Sequence, residues 1–243
     1  MDMSAKTRMR ENIFAIRERI ACAAARSGRR AEDIALVGVS KFQPLESLYM
    51  ALDCGITVLG ENRVQEREQK AASWSVLTPR KVEWHMIGHL QRNKARKAAE
   101  LFDCIESVDS AELAFALDRI IMGTAEDLKV SLYPVMIEVN TSGEESKNGV
   151  WPDRAIWLIE EITRVCPRLT IEGLMTIGPI GGGARGARES FSLLRSLIIE
   201  ARGKVGLSIP HLSMGMSGDF EIAIEEGSTL VRIGTGIFGA RHG

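Results

Sequence analysis

The sequence predicts an α/β protein: a single (β/α)8 barrel over residues 1–243, preceded by an extra N-terminal helix at 6–27. Three observations predict it. Strand-like and helix-like segments alternate from Ile34 to the end. Eight such β/α units fit a chain of 243 residues, and closed barrels of this kind typically have ~250. Several strand segments are continuously apolar, as in Ile-Ala-Leu-Val-Gly-Val from Ile34 and Pro-Val-Met-Ile-Glu-Val from Pro134, the pattern of parallel strands covered on both faces. An open doubly wound sheet is the competing architecture, since its local pattern is the same.

The elements follow in order. Met9, Ile13, Ile16 and Ile20 form one apolar stripe at the helical period, and Gly28 ends that helix. Strands are expected at Ile34–Val39, Thr57–Gly60, Val82–Ile87, Cys104–Val108, Tyr133–Val139, Thr170–Ile177, Ile209–Ser213 and Thr229–Ile233. Helices are expected between them, near Leu45–Leu52, Arg63–Ala72, Arg92–Glu100, Ala111–Met122, Asp153–Val165, Arg188–Arg202 and Asp219–Glu226. No Pro/Ser-rich linker divides the chain.

Composition excludes several classes. Lys and Arg number 31 against 32 Asp and Glu, a net charge of −1. That balance argues against a dedicated nucleic-acid binder, and 5% aromatics argue against a base-stacking platform. No apolar run reaches the ~18 residues of a membrane span, and the charged N-terminus lacks a signal-peptide core. Cys22, Cys54, Cys104 and Cys166 contain no CxxC. This fits reduced thiols in a cytoplasmic protein, not a disulfide frame or zinc site.

In a (β/α)8 barrel the chemistry sits at the C-terminal ends of the strands. Lys41 follows the first strand, so its amine should enter the barrel mouth, where a partly desolvated lysine can form an imine. A solvated strand-end lysine is the bland alternative. Ser-Met-Gly-Met-Ser (213–217) and Ile-Gly-Thr-Gly (233–236) follow strands seven and eight. Barrels often bind phosphate there through backbone N–H groups and hydroxyls, although such glycines also serve plain turns. Arg232 alternates with apolar neighbours and should face the interior. It would then either pair with Glu61, Glu138 or Glu172, or face a ring nitrogen and hold it unprotonated.

These segments resemble the pyridoxal phosphate homeostasis protein family, which has the fold of the alanine racemase N-terminal barrel. The matching blocks are Val-Gly-Val-Ser-Lys (37–41), Gly-Glu-Asn-Arg-Val-Gln-Glu (60–66), Trp-His-Met-Ile-Gly-His-Leu-Gln-Arg-Asn-Lys (84–94), Gly-Leu-Met-Thr-Ile (173–177), Ser-Met-Gly-Met-Ser (213–217) and Gly-Ser-Thr-Leu-Val-Arg-Ile-Gly-Thr-Gly-Ile-Phe-Gly (227–239). They span nearly the whole chain in the right order. The resemblance implies a pyridoxal 5′-phosphate (PLP) Schiff base on Lys41. It implies phosphate contacts from Ser213, Ser217, Gly234 and Thr235 in blocks that also carry Met214, and ring contacts from Asn62, His89, Met175 and Arg232. It further implies a PLP carrier in vitamin B6 and amino-acid homeostasis, monomeric, with apo PLP-dependent enzymes as candidate recipients. The chain departs from the family pattern at the glycine-rich segment Ile177–Gly186, expected to be a flexible loop.

Other signals compete. Gly181, Gly183 and Gly186, and again Gly234, Gly236 and Gly239, match G-x-G-x-x-G. The second lacks room for a following helix and strand, and Pro179 separates the first from its strand. His85 and His89 lie on and past a strand, about 13 Å apart if extended, too far for one zinc ion. Arg92, Lys94, Arg96 and Lys97 suit a solvated helix face. Residues 142–149 should form a mobile polar loop, on which Lys147 could act as a second amine. An amino-acid racemase is the rival function. It needs a base on each ring face, and the only tyrosines, Tyr49 and Tyr133, fall in a helix and at the far rim. With four residues after the last glycine block, no second domain is expected to supply one.

Overall fold

The computed structural model describes residues 3–77, 82–128, 131–206 and 208–239. Eight parallel strands close on themselves in sequence order: β1 (Ala35–Val39), β2 (Val58–Glu61), β3 (Glu83–Met86), β4 (Cys104–Val108), β5 (Tyr133–Glu138), β6 (Leu169–Met175), β7 (His211–Ser213) and β8 (Leu230–Ile233). Closure is made by β1, which pairs with β2 on one side and β8 on the other, with Gly38 opposite Ile233. The open-sheet alternative is thereby ruled out.

The helices are α1 (Met3–Arg26), α2 (Leu45–Asp53), α3 (Val64–Leu77), α4 (Ala95–Leu101), α5 (Ala111–Leu128), α6 (Pro152–Val165), α7 (Gly183–Val205), α8 (Phe220–Glu225) and α9 (Thr235–Phe238). Their apolar faces meet the outer face of the sheet in one continuous core that includes Leu117, Ile159 and Phe191. A second, smaller apolar set fills the barrel itself: Val37, Val58, Cys104, Met136, Met175 and Leu230. Two layers result because strand side chains alternate in and out.

α1 buries the predicted stripe of Met9, Ile13, Ile16 and Ile20. It lies along α8 and α9 and is fastened there by Arg19 to Glu221 (2.9 Å), Arg26 to Glu225 (2.8 Å) and Asn12 to the Ile237 carbonyl (3.2 Å). These exposed pairs add little energy each; the apolar stripe holds the helix.

The structure departs from expectation in three places. The run Arg92–Glu100 splits into a 3-10 turn at Arg92–Lys94 and α4. The glycine-rich segment is only partly loop, because α7 begins at Gly183. There Ala184, Arg185 and Ala187 are good helix formers, Gly186 N–H bonds the Gly182 carbonyl at 2.9 Å, and Arg185 pairs with Glu189 at 2.8 Å. Finally, the turn after β8 coils into α9, which periodicity cannot signal in four residues.

Gly215 sets the loop after β7. Its φ of +95° is left-handed, and a Cβ there would stand 2.5 Å from Ala223 Cβ and 2.8 Å from Phe220 Cα. Its carbonyl accepts from Arg232 N–H at 2.9 Å. Gly215→Ala should therefore lose at least ~2 kcal/mol of stability in urea unfolding. A loss below about 0.5 kcal/mol, the scale of a neutral surface change, would contradict this account of the loop.

Candidate functional site

At the C-terminal end of β1 the chain is pinned on both sides of Lys41. Ser40 is fully buried, and its hydroxyl donates to Glu61 Oε1 at 2.8 Å. Lys70, from α3, donates to the Ser40 carbonyl at 2.8 Å and pairs with Glu61. Beyond Lys41, Phe42 adopts φ +61°, a costly conformation for a bulky residue, and its N–H donates to Glu66 Oε2 at 3.0 Å. Two side chains of one helix thus grip the peptides flanking Lys41. The Lys41 amine itself has no hydrogen-bond or ion-pair partner among the described residues.

That amine faces a cavity of about 240 Å³ lined by residues from three strand ends. Lys41 and Gln43 follow β1, Ser217 and Gly218 follow β7, and Arg232, Gly234 and Thr235 belong to the end of β8. The lining holds two cations and no carboxylate. The backbone N–H groups of Ser217, Gly218, Thr235 and Gly236 donate to no backbone carbonyl among the described residues. A Cβ on Gly218 would meet nothing within 4 Å, so the cavity is open beside it, and Ser217 Oγ lies 3.6 Å from the Cβ position of Gly236. The two loops form one cup of hydroxyl and N–H donors. Such a donor set fits a small dianion, with an amine opposite for a carbonyl.

Of the residues singled out in the sequence, the structure brings Lys41, Ser217, Arg232, Gly234 and Thr235 into this lining. The others stand around it. Asn62, one residue past β2, carries a buried Oδ1 without a partner, and its carbonyl would be 2.4 Å from a Cβ on Gly88. His89 is exposed and lies 3.3 Å from Asp109. Met175 is buried in the barrel interior. Met214 is buried in the layer between sheet and helices. Ser213 is fully buried and is engaged below the rim by Glu106 and Arg232. Lys147 donates to the Gly178 carbonyl at 3.0 Å, and Glu144 takes the Ile180 N–H at 2.8 Å. The loop expected to be mobile is thus tied to the segment before α7.

Arg232 does point inward, but its partner differs from expectation. Among the described residues none of Glu61, Glu138 and Glu172 makes its ion pair. Instead Nη1 donates to Ser213 Oγ at 2.6 Å and Nη2 to the Thr176 carbonyl at 2.7 Å, with Glu106 Oε2 at 4.0 Å. Glu106 was legible in principle. It is a charged residue in the short run Cys104–Val108, with Ile105 before it, a weaker form of the signal that marked Arg232. His85 and His89 diverge onto Glu106 and Asp109, and no metal-ligating cluster occurs among the described residues.

The comparisons bear on family and fold. Residues 12–242 match the family described as alanine racemase, N-terminal domain. The fold resembles alanine racemase of Clostridium difficile with a TM-score of 0.71 at 16% identity, covering 97% of this chain and 57% of that one. Fold and match define the class: a barrel of the alanine racemase N-terminal type. Relatives named pyridoxal phosphate homeostasis protein are 42% identical in Aquifex aeolicus, over 95% of this chain and 97% of the relative, and 42% identical in Homo sapiens, over 98% and 89%. PipY of Synechococcus elongatus, solved with PLP bound, superimposes with a TM-score of 0.80 at 33% identity, over 95% of this chain and all of that one. The chain belongs to the pyridoxal phosphate homeostasis protein family.

Glu138, the last residue of β5, is a buried carboxyl whose Oε2 has no partner. Burial, with repulsion from Asp109 and Glu106 outweighing attraction to Arg232, raises its pKa to about 7. A carboxyl raised in the fold destabilises it wherever it must ionise: fully above pH 7, progressively less toward its ordinary 4.5, and not below. Glu138→Gln should therefore gain about 2–3 kcal/mol at pH 8 and nearly nothing at pH 4.5, as read by urea unfolding at both values. An equal change at the two pH values would refute this ionisation.

Proposed function

We propose that this protein binds PLP in the Lys41 cavity, holds it as a Schiff base on Lys41, and serves intracellular PLP homeostasis without committed catalysis. The observation that carries the reading is the unpartnered Lys41 amine facing a cup of Ser217, Gly218, Gly234 and Thr235 in one cavity. The 33%-identical PipY structure with PLP bound supports it, as do the names of the bacterial and human relatives. The unit is proposed to be one barrel that acts as a monomer in the cytoplasm and delivers PLP to apo-enzymes. No helix among the described residues is long and apolar enough to cross a membrane.

Each residue has a task. Lys41 Nζ condenses with the aldehyde, and the carbonyl oxygen leaves as water. Ser217 and Thr235 offer hydroxyls, and the N–H groups beside them offer neutral donors, to the phosphate. Arg232 donates toward the ring nitrogen and, always charged, leaves that nitrogen without a proton. Asn62, with its unsatisfied oxygen, and Met175 and His89 bound the ring side; Ser213 acts through Arg232, and Met214 braces the loop from behind. Bound PLP supplies an electrophilic aldehyde on a ring that withdraws electrons weakly when its nitrogen is unprotonated.

The two tyrosines give no second base. Tyr49 stacks on Trp74, and Tyr133, at the opposite end of β5, donates to the Phe102 carbonyl at 2.5 Å. The second reading, an amino-acid-transforming enzyme, draws on one observation, the unpaired Glu138 carboxyl at the site end of β5. Absorption and exchange separate the two. Protein mixed with PLP should gain visible absorbance above that of free PLP, and Lys41→Ala should abolish the gain. L-alanine in deuterated water should keep its Cα proton through many protein equivalents. An unchanged spectrum in the Lys41 variant would refute the Schiff base, and steady Cα exchange would establish the enzyme.

A further inference from the structure

Four buried side chains run in series from the barrel interior to the cavity wall. His85 on β3 sets Nδ1 2.6 Å from Glu106 Oε1 on β4. Glu106 Oε2 accepts the Ser213 hydroxyl of β7 at 2.5 Å, and Ser213 Oγ accepts Arg232 Nη1 of β8 at 2.6 Å. Glu106 and Ser213 have no exposed surface, and His85 and Arg232 have only 5% and 4%. Only Arg232 among the four lines the cavity.

Their chemistry fixes the protons. A carboxylate can only accept, so His85 Nδ1 carries the hydrogen and Ser213 donates to Glu106. The Ser213 oxygen is then left with lone pairs for Arg232 alone. Arg232 lies 4.0 Å from Glu106 Oε2, so the hydroxyl bridges the two charges. Burial works against every charge in the chain. It lowers the Arg232 pKa, opposed by Glu106, Glu138 and Asp219. It would raise that of Glu106, but His85, Arg232 and Ser213 hold it below the usual range. Burial also disfavours the His85 imidazolium, but the bond to and charge of Glu106, with Glu83 and Asp103, win and raise its pKa. His211 on β7 is the other titratable ring that interacts with His85, and burial, with the His85 charge, holds its pKa below the usual range. Such a chain, in a low dielectric, transmits charge changes strongly.

We propose that Glu106 is a positioning residue for the cavity: through Ser213 it fixes the Arg232 guanidinium, and through His85 it links that guanidinium to solution pH. The proposal rests on the reading that PLP occupies this cavity. The phosphate dianion of PLP, held in the cavity that Arg232 lines, offsets the positive field of the guanidinium, so Glu106 is less neutralised and the imidazolium of His85 is favoured. The His85 titration midpoint must then rise on loading. By reciprocity, PLP must bind more tightly as the pH falls through that midpoint.

The test uses the full chain, empty and loaded with PLP, and follows the His85 ring proton by NMR across pH, assigned by its loss in His85→Asn. The wild type should show a higher His85 midpoint when loaded. In Glu106→Gln that rise should vanish and PLP should bind roughly tenfold more weakly, the loss expected for a hydrogen bond to a charged group. Ser213→Ala keeps the His85–Glu106 pair and removes the bridging hydroxyl, leaving only the direct Glu106–Arg232 attraction across 4.0 Å, so it should shrink the rise and weaken PLP binding; it carries the test if Glu106→Gln does not fold. A His85 midpoint identical in empty and loaded wild type, or variants that keep both the rise and the wild-type affinity, would overturn the proposal. Wild type that gains no visible absorbance with PLP would overturn the PLP reading and the coupling together, whereas loading without a midpoint rise overturns only the coupling.

Discussion

The pairing of β1 with β8 is the constraint on which the site depends. Lys41 and Gly234 are far apart along the chain, yet Gly38 stands opposite Ile233 across that ladder. Continuing the two strands by a residue or two brings the lysine and the last donor loop to the same rim. A Cβ on Gly234 would rest 3.4 Å from Val39 Cβ, so the glycine lets the turn lie close against β1. α1 supports this junction from outside, since Ile16 reaches to 3.3 Å of the Cβ position of Gly236. The apolar stripe of the N-terminal helix therefore bears on the cup, not only on general stability.

A barrel interior is a dry place, and much of this one is apolar. The apolar set of Val37, Val58, Cys104, Met136 and Leu230 fills the barrel interior. Beside that apolar set Glu106, Glu138 and Arg232 are buried in place of aliphatic side chains. Ion pairs of this kind seldom stabilise a fold more than apolar residues would. Their retention here is consistent with a task of orienting one guanidinium. The same principle holds at Lys41, where the left-handed backbone of Phe42 is a local strain held by Glu66, as strained residues at functional sites are held by their surroundings.

Much of the barrel could be read from the sequence because its signals are local. Continuous apolar strands, the stripe of α1 and the hydroxyl- and glycine-bearing ends of β7 and β8 all lie within short windows. Arg232 was legible by alternation alone. What escaped has a common cause in distance along the chain: Glu106 and Ser213 are 107 residues apart, so no window reveals that they meet or that Ser213 is spoken for. The partners offered for Arg232 failed for the same reason. The start of α7 was hidden by glycines that lower helix propensity, while the burial of Ala187, Ser190 and Phe191 one to two turns on carries the helix through it. α9 is a single turn, too short for a period.

The likeness to alanine racemase is one of fold, and the proposed Schiff base on Lys41 hinges on a single covalent bond. Borohydride reduction of the protein mixed with PLP, followed by peptide mass mapping, tests it most directly. The account predicts a phosphopyridoxyl group on Lys41 and on no other lysine at stoichiometric loading. A reduced adduct found elsewhere, or none at all, would contradict it.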